Sequence, residues 1–243
     1  VVYIFCDELR PDALGCYGNP AGEMLTPNID EIAANGVLFE NCFCNSPICV
    51  LSRASLMTGL YPEDTAVYGN EAAFPTFKME EEFLTFPQVL ADAGYRTANF
   101  GKTHLPDQMR PFQLDNHDGS DMTLGLSRDE IKNLNKIMPK GNFSFNAASI
   151  YPEDREYNPE VITSNALEWI DAQSEPFFVR LSYLQPHSPI IVKKGYERIY
   201  ENHGFEGTLS DISGLSLFER AFADFINLDT LTEDEIKTVK EYY

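Results

Sequence analysis

Three apolar, β-rich runs of this chain each lead into polar residues, and this repeated pattern constrains the fold most. VVYIFC leads into Asp7 and Glu8. YRTANFG leads into Lys102 and His104, and PFFVRLSY is followed closely by His187. Apolar runs of this kind are typical of strands buried on both faces of a parallel sheet, and open α/β sheets bind ligands at the carboxyl ends of their strands. We therefore expect these polar residues to share one edge of a sheet.

Segments with helical signals separate the strand-like runs. TPNIDEIAANG, FPQVLADAGY and residues 160–173 all have helical start or stop signals or an amphipathic pattern, and LTEDEIKTVKEYY opens with a capping box. VLFENCFC is predicted to form a further strand. The alternation predicts an α/β fold with a mostly parallel twisted sheet and helices on both faces. Periodicity fades over 107–157, where we expect a long surface excursion with one helix near 127–137.

The charge of the chain restricts its partners. With 38 acidic and 18 basic residues, the net charge of −20 excludes nucleic acid and anionic membranes as expected partners. A small anionic substrate stays compatible if a few cations gather in one pocket. No apolar run approaches the roughly 18 to 20 residues of a membrane span, and VVYIFCDE does not show the basic-then-apolar pattern expected of a signal peptide. All five cysteines lie in the first 50 residues, so they do not form a disulfide framework for the remainder.

Cys49 lies where an apolar helix is predicted to begin, four residues before Arg53. The unpaired N–H groups and the dipole of a helix N-terminus favour an anion, such as a thiolate or the oxyanion of a group that replaces it. Arg53 adds a fixed cation nearby. On these residues alone two interpretations stay open. Cys49 is either a functional group at a helix N-terminus or a small apolar residue buried between Ile48 and Val50.

The wider sequence resembles the type I sulfatases of the alkaline phosphatase superfamily. Their signature is C-x-P-S-R followed by an apolar pair and T-G, and this chain has CVLSR at 49–53 and LMTG at 56–59. FCDELRPDALGCYGN, TPNIDEIAANGVLFENCFC, GKTHLP and PHSP stand in the family's order. The chain is therefore identified as a sulfatase-like α/β catalytic domain over 1–243, with a long irregular insertion near 107–157. The resemblance implies that it is the amino-terminal portion, truncated at the C-terminal side.

The resemblance implies a sulfuric ester hydrolase with a set of catalytic residues. In such enzymes the signature cysteine is oxidised to formylglycine, whose hydrated aldehyde supplies the nucleophile, and Cys49 occupies that place. Arg53 would stabilise the diol, and His104 would hydrogen-bond the formylglycine. Lys102 would bind a sulfate oxygen, and His187 would bind the ester oxygen near the leaving group.

The same resemblance implies a metal site. Asp7, Glu8 and the modified Cys49 are its expected ligands, for Ca²⁺ or alternatively Mg²⁺ or Mn²⁺. Glu8 stands where the family often has a second acid or an amide. Relatives carry further downstream an Asp followed by Asn or His, and a second lysine on the sulfate, which this chain does not contain. We therefore expect the isolated chain to be inactive.

The implied partners are a small sulfate ester or sulfated sugar and, for maturation, a formylglycine-generating enzyme. The family favours a periplasmic or secreted location. Two alternatives stay open, because relatives use nearly the same site for phosphate or phosphonate esters, and because Leu51 replaces the signature proline, which the maturation enzyme recognises. One is a phosphate or phosphonate monoester hydrolase of the same superfamily. The other is a non-catalytic, anion-binding pseudo-sulfatase in which Cys49 stays unconverted.

Overall fold

The computed structural model of this chain describes residues 1–18, 25–74, 77, 79, 82–116, 124–134, 148–201, 214, 216–225 and 230–243. Its strands are β1 (Val2–Asp7), β2 (Arg96–Gly101), β3 (Leu114–Asn116), β4 (Ala148–Ile150), β5 (Phe177–Pro186) and β6 (Ile190–Val192). Its α-helices are α1 (Pro27–Asn35), α2 (Cys49–Thr58), α3 (Pro62–Thr65), α4 (Phe86–Asp92), α5 (Arg128–Asn133), α6 (Asn158–Asp171), α7 (Leu217–Phe225) and α8 (Glu233–Tyr242).

The chain divides into two units, each assembled from several segments. The first unit contains Val1–Phe5, Asn41–Leu126 and Asn158–Leu184. The second unit contains Cys6–Glu40, Ser127–Tyr157 and Gln185–Tyr243. The last two residues of β1 and of β5 therefore belong to the second unit.

A four-stranded sheet in the order β1-β5-β2-β3 organises the first unit. β2 runs parallel to both β5 and β3, with Asn99 opposite Arg180 in the first pair. Beside β5, the Val1 N–H donates to Phe177 O at 2.6 Å, and the Val179 N–H donates to Val1 O at 2.9 Å. Val1 thus bonds to Phe177 and to Val179, the residues before and after Phe178. This hydrogen-bond pattern is that of two parallel strands. The parallel α/β architecture predicted from the sequence is confirmed.

Helices cover both faces of this sheet because successive strand residues point to opposite sides. Phe178 packs into a buried cluster with apolar residues of α2, including Val50 and Met57. Its neighbour Val179 packs into a second cluster, which includes Ile162 of α6. The two clusters are the cores on the two faces of the sheet.

The second unit contains a two-stranded parallel sheet of β4 and β6, in which Ala148 lies opposite Ile190. α8 packs near both strands. This helix begins with the capping box predicted from the sequence. The Glu235 N–H donates to Thr232 Oγ1 at 3.3 Å, and the Thr232 N–H donates to the Glu235 carboxylate at 2.8 Å. The prediction of a helix start here is confirmed.

Two sequence expectations differ from the structure. VLFENCFC, expected to form a strand, has no strand at 37–44, and its side chains Val37, Phe39 and Phe43 are exposed. An apolar run becomes a strand only where another strand satisfies its backbone groups, and within the described residues none does so.

The second difference concerns residues 107–157, which were expected to form a long surface excursion. They contain β3, α5 and β4, and Met109 and Phe112 are buried in the first unit. The helix expected near 127–137 is present at Arg128–Asn133. Residues 117–123 and 135–147 of this segment lie outside the described residues.

No helix in the described part of the chain has the length and apolar character needed to cross a membrane.

Candidate active site

Cys49 is the first residue of α2, as its sequence surroundings predict. Ile48 before it is extended, with φ −124° and ψ 133°. In the first turn the Val50 N–H donates to Asn70 Oδ1 at 3.2 Å. The helix ends at Gly59, which adopts the left-handed conformation and donates its N–H to Ser55 O. Half-buried Cys49 therefore lies at a helix N-terminus, where an anionic oxygen or sulfur is stabilised.

Arg53 follows one turn later on α2, and its side chain is almost completely buried. Its Nη1 donates to Lys102 O and to Ser182 Oγ, both at 3.0 Å. Its guanidinium also lies 4.8 Å from the centre of the Phe5 ring, within cation–π range. Arg53 therefore ties the start of α2 to the chain at the end of β2.

Lys102 and His104 follow the carboxyl end of β2, and Lys102 is fully buried. The Lys102 N–H donates to Ser182 O at 2.8 Å. Gly101 before it has φ +89°, and a Cβ atom there would lie 2.3 Å from Ser182 O, so only glycine fits. His104 is half-buried and itself has a positive φ of 46°. Lys102 and His104 are thus held next to the helix that carries Arg53.

A network of buried polar side chains, which the sequence analysis did not single out, surrounds this segment. Arg180 on β5 is fully buried and donates from Nε to Asn99 Oδ1 at 2.6 Å. Asn99 Nδ2 in turn donates to Asp115 Oδ1 at 2.8 Å and to Thr103 Oγ1 at 3.0 Å. The only signal in the sequence is a polar residue inside each apolar strand run, at the N of YRTANFG and the R of PFFVRLSY.

The second unit contains the predicted acidic residues and His187. Asp7 ends β1 and is buried. Glu8 follows with a φ of 61°, and its Oε1 lies 3.3 Å from His187 Nε2. Its other carboxylate oxygen accepts the Ser188 N–H at 3.4 Å, and its backbone oxygen accepts a hydrogen bond from the Tyr243 hydroxyl. Glu8 and His187 are therefore brought together at the ends of β1 and β5.

Both ring nitrogens of His187 face oxygen atoms. Nδ1 lies next to Ser188 O, and Nε2 faces the Glu8 carboxylate. The Glu8 carboxylate and Ser188 O therefore both contact the ring and orient it.

The pKa shifts near these residues have simple causes. Burial raises the pKa of the Cys6 thiol, and the negative charge of Asp7 raises it further, so Cys6 is held as a neutral thiol. Burial also raises the pKa of Tyr3, while the positive charges of Arg180 and Arg53 oppose that rise. The buried Arg53 and Arg180 therefore place positive charge near Tyr3 in the first unit.

The donor types present fit a hard divalent cation. Asp7 and Glu8 offer carboxylate oxygens, which Ca²⁺ and Mg²⁺ prefer over nitrogen or sulfur ligands. Asp7 is buried, and a buried carboxylate requires a compensating positive charge or hydrogen bonds. The assignment of Asp7, Glu8 and Cys49 as metal ligands stays a prediction.

Comparison with known proteins establishes the family of this chain. The chain has a parallel α/β sheet with polar residues after the strands, and a cysteine at the start of a helix. The Sulfatase family profile matches its residues 1–237. The chain therefore belongs to the sulfatase family. Membership implies a formylglycine and a divalent metal in general terms.

Individual relatives agree with this assignment. The chain is 29% identical over 211 residues to human iduronate 2-sulfatase, covering 82% of this chain and 37% of that protein. It is 30% identical over 199 residues to the ulvan-active sulfatase of Formosa agariphila, covering 78% of this chain and 35% of that protein. The chain thus spans little more than a third of the length of these relatives.

A solved structure shares the fold. The phosphonate monoester hydrolase of Agrobacterium radiobacter superposes with a TM-score of 0.70 over 100% of this chain and 55% of that chain, at 20% identity. At that identity the likeness concerns the fold alone.

Proposed function

We propose that the whole protein is a sulfuric ester hydrolase in which Cys49 is the precursor of the nucleophile. The observation that carries this proposal is the position of Cys49 at the first residue of α2, one turn before buried Arg53. A helix N-terminus with a fixed cation stabilises an anionic nucleophile and the anionic group that it attacks. Membership of the sulfatase family supports sulfate as that group.

Each polar residue of the site has a chemical role in this proposal. In a formylglycine formed from Cys49, one hydroxyl of the hydrated aldehyde would attack sulfur, and after the alcohol has left, the second hydroxyl would lose its proton and expel sulfate, which restores the aldehyde. Asp7 and Glu8 would hold a divalent cation, which would supply positive charge next to the sulfuryl oxygens. Lys102 binds a sulfuryl oxygen through its ammonium group. His104 hydrogen-bonds the side chain at position 49. His187 would bind the ester oxygen and give a proton to the departing alcohol.

Arg53 contributes by holding other groups as well as by its charge. Its hydrogen bonds to Lys102 O and Ser182 Oγ fix the guanidinium. A cation fixed before the reaction stabilises developing charge without the cost of reorganisation.

The alternative function is a non-catalytic protein that binds the anion. In that protein the same residues would hold the anion, and Cys49 would stay an unconverted thiol.

The substrate class we propose is a sulfated sugar. Two relatives above are sulfatases named for iduronate and for ulvan. The net charge of −20 disfavours long, highly sulfated chains through repulsion. Ca²⁺ is the proposed metal, because carboxylate oxygens are its usual ligands, with Mg²⁺ and Mn²⁺ as alternatives. A formylglycine-generating enzyme is the proposed maturation partner.

Turnover by the whole protein tests this function. It would be produced together with a maturation enzyme and assayed on an aryl sulfate and on the matched aryl phosphonate. We expect sulfate hydrolysis that falls by at least about 10³-fold in Cys49→Ala, because the covalent nucleophile is lost. Cys44→Ala is the matched control, since Cys44 is an exposed cysteine, and should keep full activity.

Two outcomes would contradict the proposed function and favour an alternative. Turnover of the phosphonate with none of the sulfate would favour the monoester hydrolase alternative. Tight binding of inorganic sulfate with no turnover of either ester would favour the anion-binding alternative.

A further inference from the structure

Arg180 presents an unusual arrangement for a residue in the middle of a buried strand. It is fully buried on β5, directly opposite Asn99 on β2. Its Nε donates to Asn99 Oδ1 at 2.6 Å, and its guanidinium lies 5.0 Å from the centre of the Phe112 ring. An arginine and an asparagine thus occupy facing positions where the neighbouring strand residues are apolar.

Such a pair is not the arrangement that stabilises a core most. Removing a guanidinium from water costs several kcal/mol, and hydrogen bonds and nearby charges recover this only in part. Replacing buried polar groups together by apolar residues of similar volume is often neutral or stabilising. The polar pair therefore points to a role other than stability.

The network ends on the segment that carries Lys102 and His104. Asn99 Nδ2 donates to Gly101 O at 3.1 Å as well as to Thr103 Oγ1. Thr103 Oγ1 also donates to Asp115 Oδ1, at 2.7 Å. Three consecutive residues are therefore held, since Arg180 Nη2 approaches Lys102 O at 3.4 Å.

The residue directly after this held segment is His104, with a φ of 46°. A residue other than glycine in the left-handed region carries a strain of about 1–3 kcal/mol, which the surroundings must hold in place. The hydrogen bonds to residues 101–103 are the contacts of the network that precede it. They restrict the backbone from which both Lys102 and His104 project.

We propose that Arg180 and Asn99, joined by Thr103 and Asp115, are positioning residues that fix segment 101–104. They act through the backbone of Lys102 and His104 and do not contact the substrate. The catalytic meaning of this role depends on the proposed function, which assigns Lys102 to the sulfate and His104 to the nucleophile. The positioning itself concerns the backbone and is measurable without turnover.

The double substitution Asn99→Leu with Arg180→Met tests this proposal in the whole protein. It removes both members of the Arg180–Asn99 hydrogen bond together. Of their other partners, Thr103 Oγ1 and Asp115 keep their bond to each other, and Lys102 O keeps the Arg53 Nη1 donor. We expect the thermal midpoint to stay the same or rise. We expect kcat per folded molecule to fall by about 10- to 100-fold, with KM within about threefold, because small misplacements of catalytic groups cost this much.

Thr103→Val is the second variant, and it decides the question if the double variant does not fold. It keeps the volume of the side chain and removes only its hydroxyl contacts with Asn99 and Asp115. We expect a fall in kcat of about threefold to tenfold. Thr163→Val on α6 is the matched control, since its hydroxyl bonds to Pro159 O and Tyr183 outside this network.

Hydrogen exchange separates failure of this proposal from failure of the proposed function. In both variants we expect the amides of residues 102–104 to exchange about tenfold faster, with β2 and β5 otherwise unchanged. Unchanged exchange in this segment, or full kcat in a folded variant of an active enzyme, would overturn the positioning role. If the unsubstituted protein hydrolyses no ester, faster exchange still supports positioning, and only the proposed function fails.

Discussion

The segment after β2 and the segment after β1 both carry predicted site residues, yet they are held in different ways. Residues 101–104 are fixed by buried groups, among them Arg53 and Arg180, which both approach Lys102 O. Glu8 after β1 is held by contacts at the surface. Its side chain is 44% exposed where it meets His187, and its backbone oxygen meets the Tyr243 hydroxyl.

This difference indicates how the two segments would work. Fixed, buried donors suit the binding of a sulfate oxygen, because their orientation is established before the substrate arrives. A half-exposed carboxylate suits a metal ligand, because the ion itself organises oxygen ligands around it and calcium tolerates flexible geometry. We therefore expect substitutions after β2 to affect catalysis and folding strongly. Substitutions at Glu8 should affect mainly metal affinity.

The largest effect is expected for Lys102→Ala. Loss of a fixed cation from the sulfate should lower kcat/KM of the whole protein by about 10²- to 10³-fold. Lys194→Ala is the control, since Lys194 is an exposed lysine paired with Glu153, and its activity should not change. Steady-state kinetics on an aryl sulfate measures both. A Lys102→Ala enzyme with full activity would remove the distinction between the two segments.

The next effect concerns the backbone of the same segment. Gly101→Ala places a Cβ atom 2.3 Å from Ser182 O at a φ of +89°, and we expect a loss of about 3 kcal/mol or more in the free energy of unfolding. Gly59→Ala is the matched control, with a φ of +73° and no atom within 4 Å of the added Cβ. It should lose only about 1 kcal/mol. Equal losses in urea unfolding would show that residues 101–104 are not held tightly.

Glu8→Gln tests the more exposed segment. We expect the Ca²⁺ dissociation constant of the whole protein to rise by about tenfold, because one ligand charge is lost. The thermal midpoint without metal should change little, since the side chain is partly exposed. Glu153→Gln, at an exposed ion pair, should leave the affinity unchanged. Calorimetric titration with Ca²⁺ that shows no difference between the two variants would exclude Glu8 as a ligand.

The smallest effect is a shift in a pKa near the buried arginines. Burial raises the pKa of Tyr3, and the charges of Arg180 and Arg53 oppose this rise. In the Asn99→Leu, Arg180→Met variant the pKa of Tyr3 should therefore rise further. Since the folded-state pKa lies above the unfolded one, stability falls as pH rises above the usual tyrosine range, and the variant should lose more there.

Tyr151 serves as the internal reference for this titration. Burial also raises the pKa of Tyr151, but the charges that act on it come from Arg155 and Glu130. NMR titration of labelled tyrosine should show a shift for Tyr3 and none for Tyr151. A Tyr3 pKa that stays constant or falls would mean that Arg180 does not act on this part of the sheet.

The sequence predicts the parallel α/β class and the strands β1, β2 and β5 well, because the strand runs and helix signals are local patterns. It also predicts that Cys49 begins a helix, since an apolar helical pattern starts there. It does not reveal that Asn99 faces Arg180, because the register between two distant strands is a tertiary property. It also misplaces the apolar run at 37–44, which has the composition of a strand but no strand beside it within the described residues.

The mass of the peptide that contains residue 49 tests the central claim most directly. The whole protein would be produced together with a formylglycine-generating enzyme, digested and measured over residues 46–59. Conversion of the Cys49 thiol to an aldehyde should lower the peptide mass by about 18 Da, as a nucleophile precursor of this kind requires. A peptide that retains the full thiol mass in a preparation that still hydrolyses aryl sulfate would contradict the account.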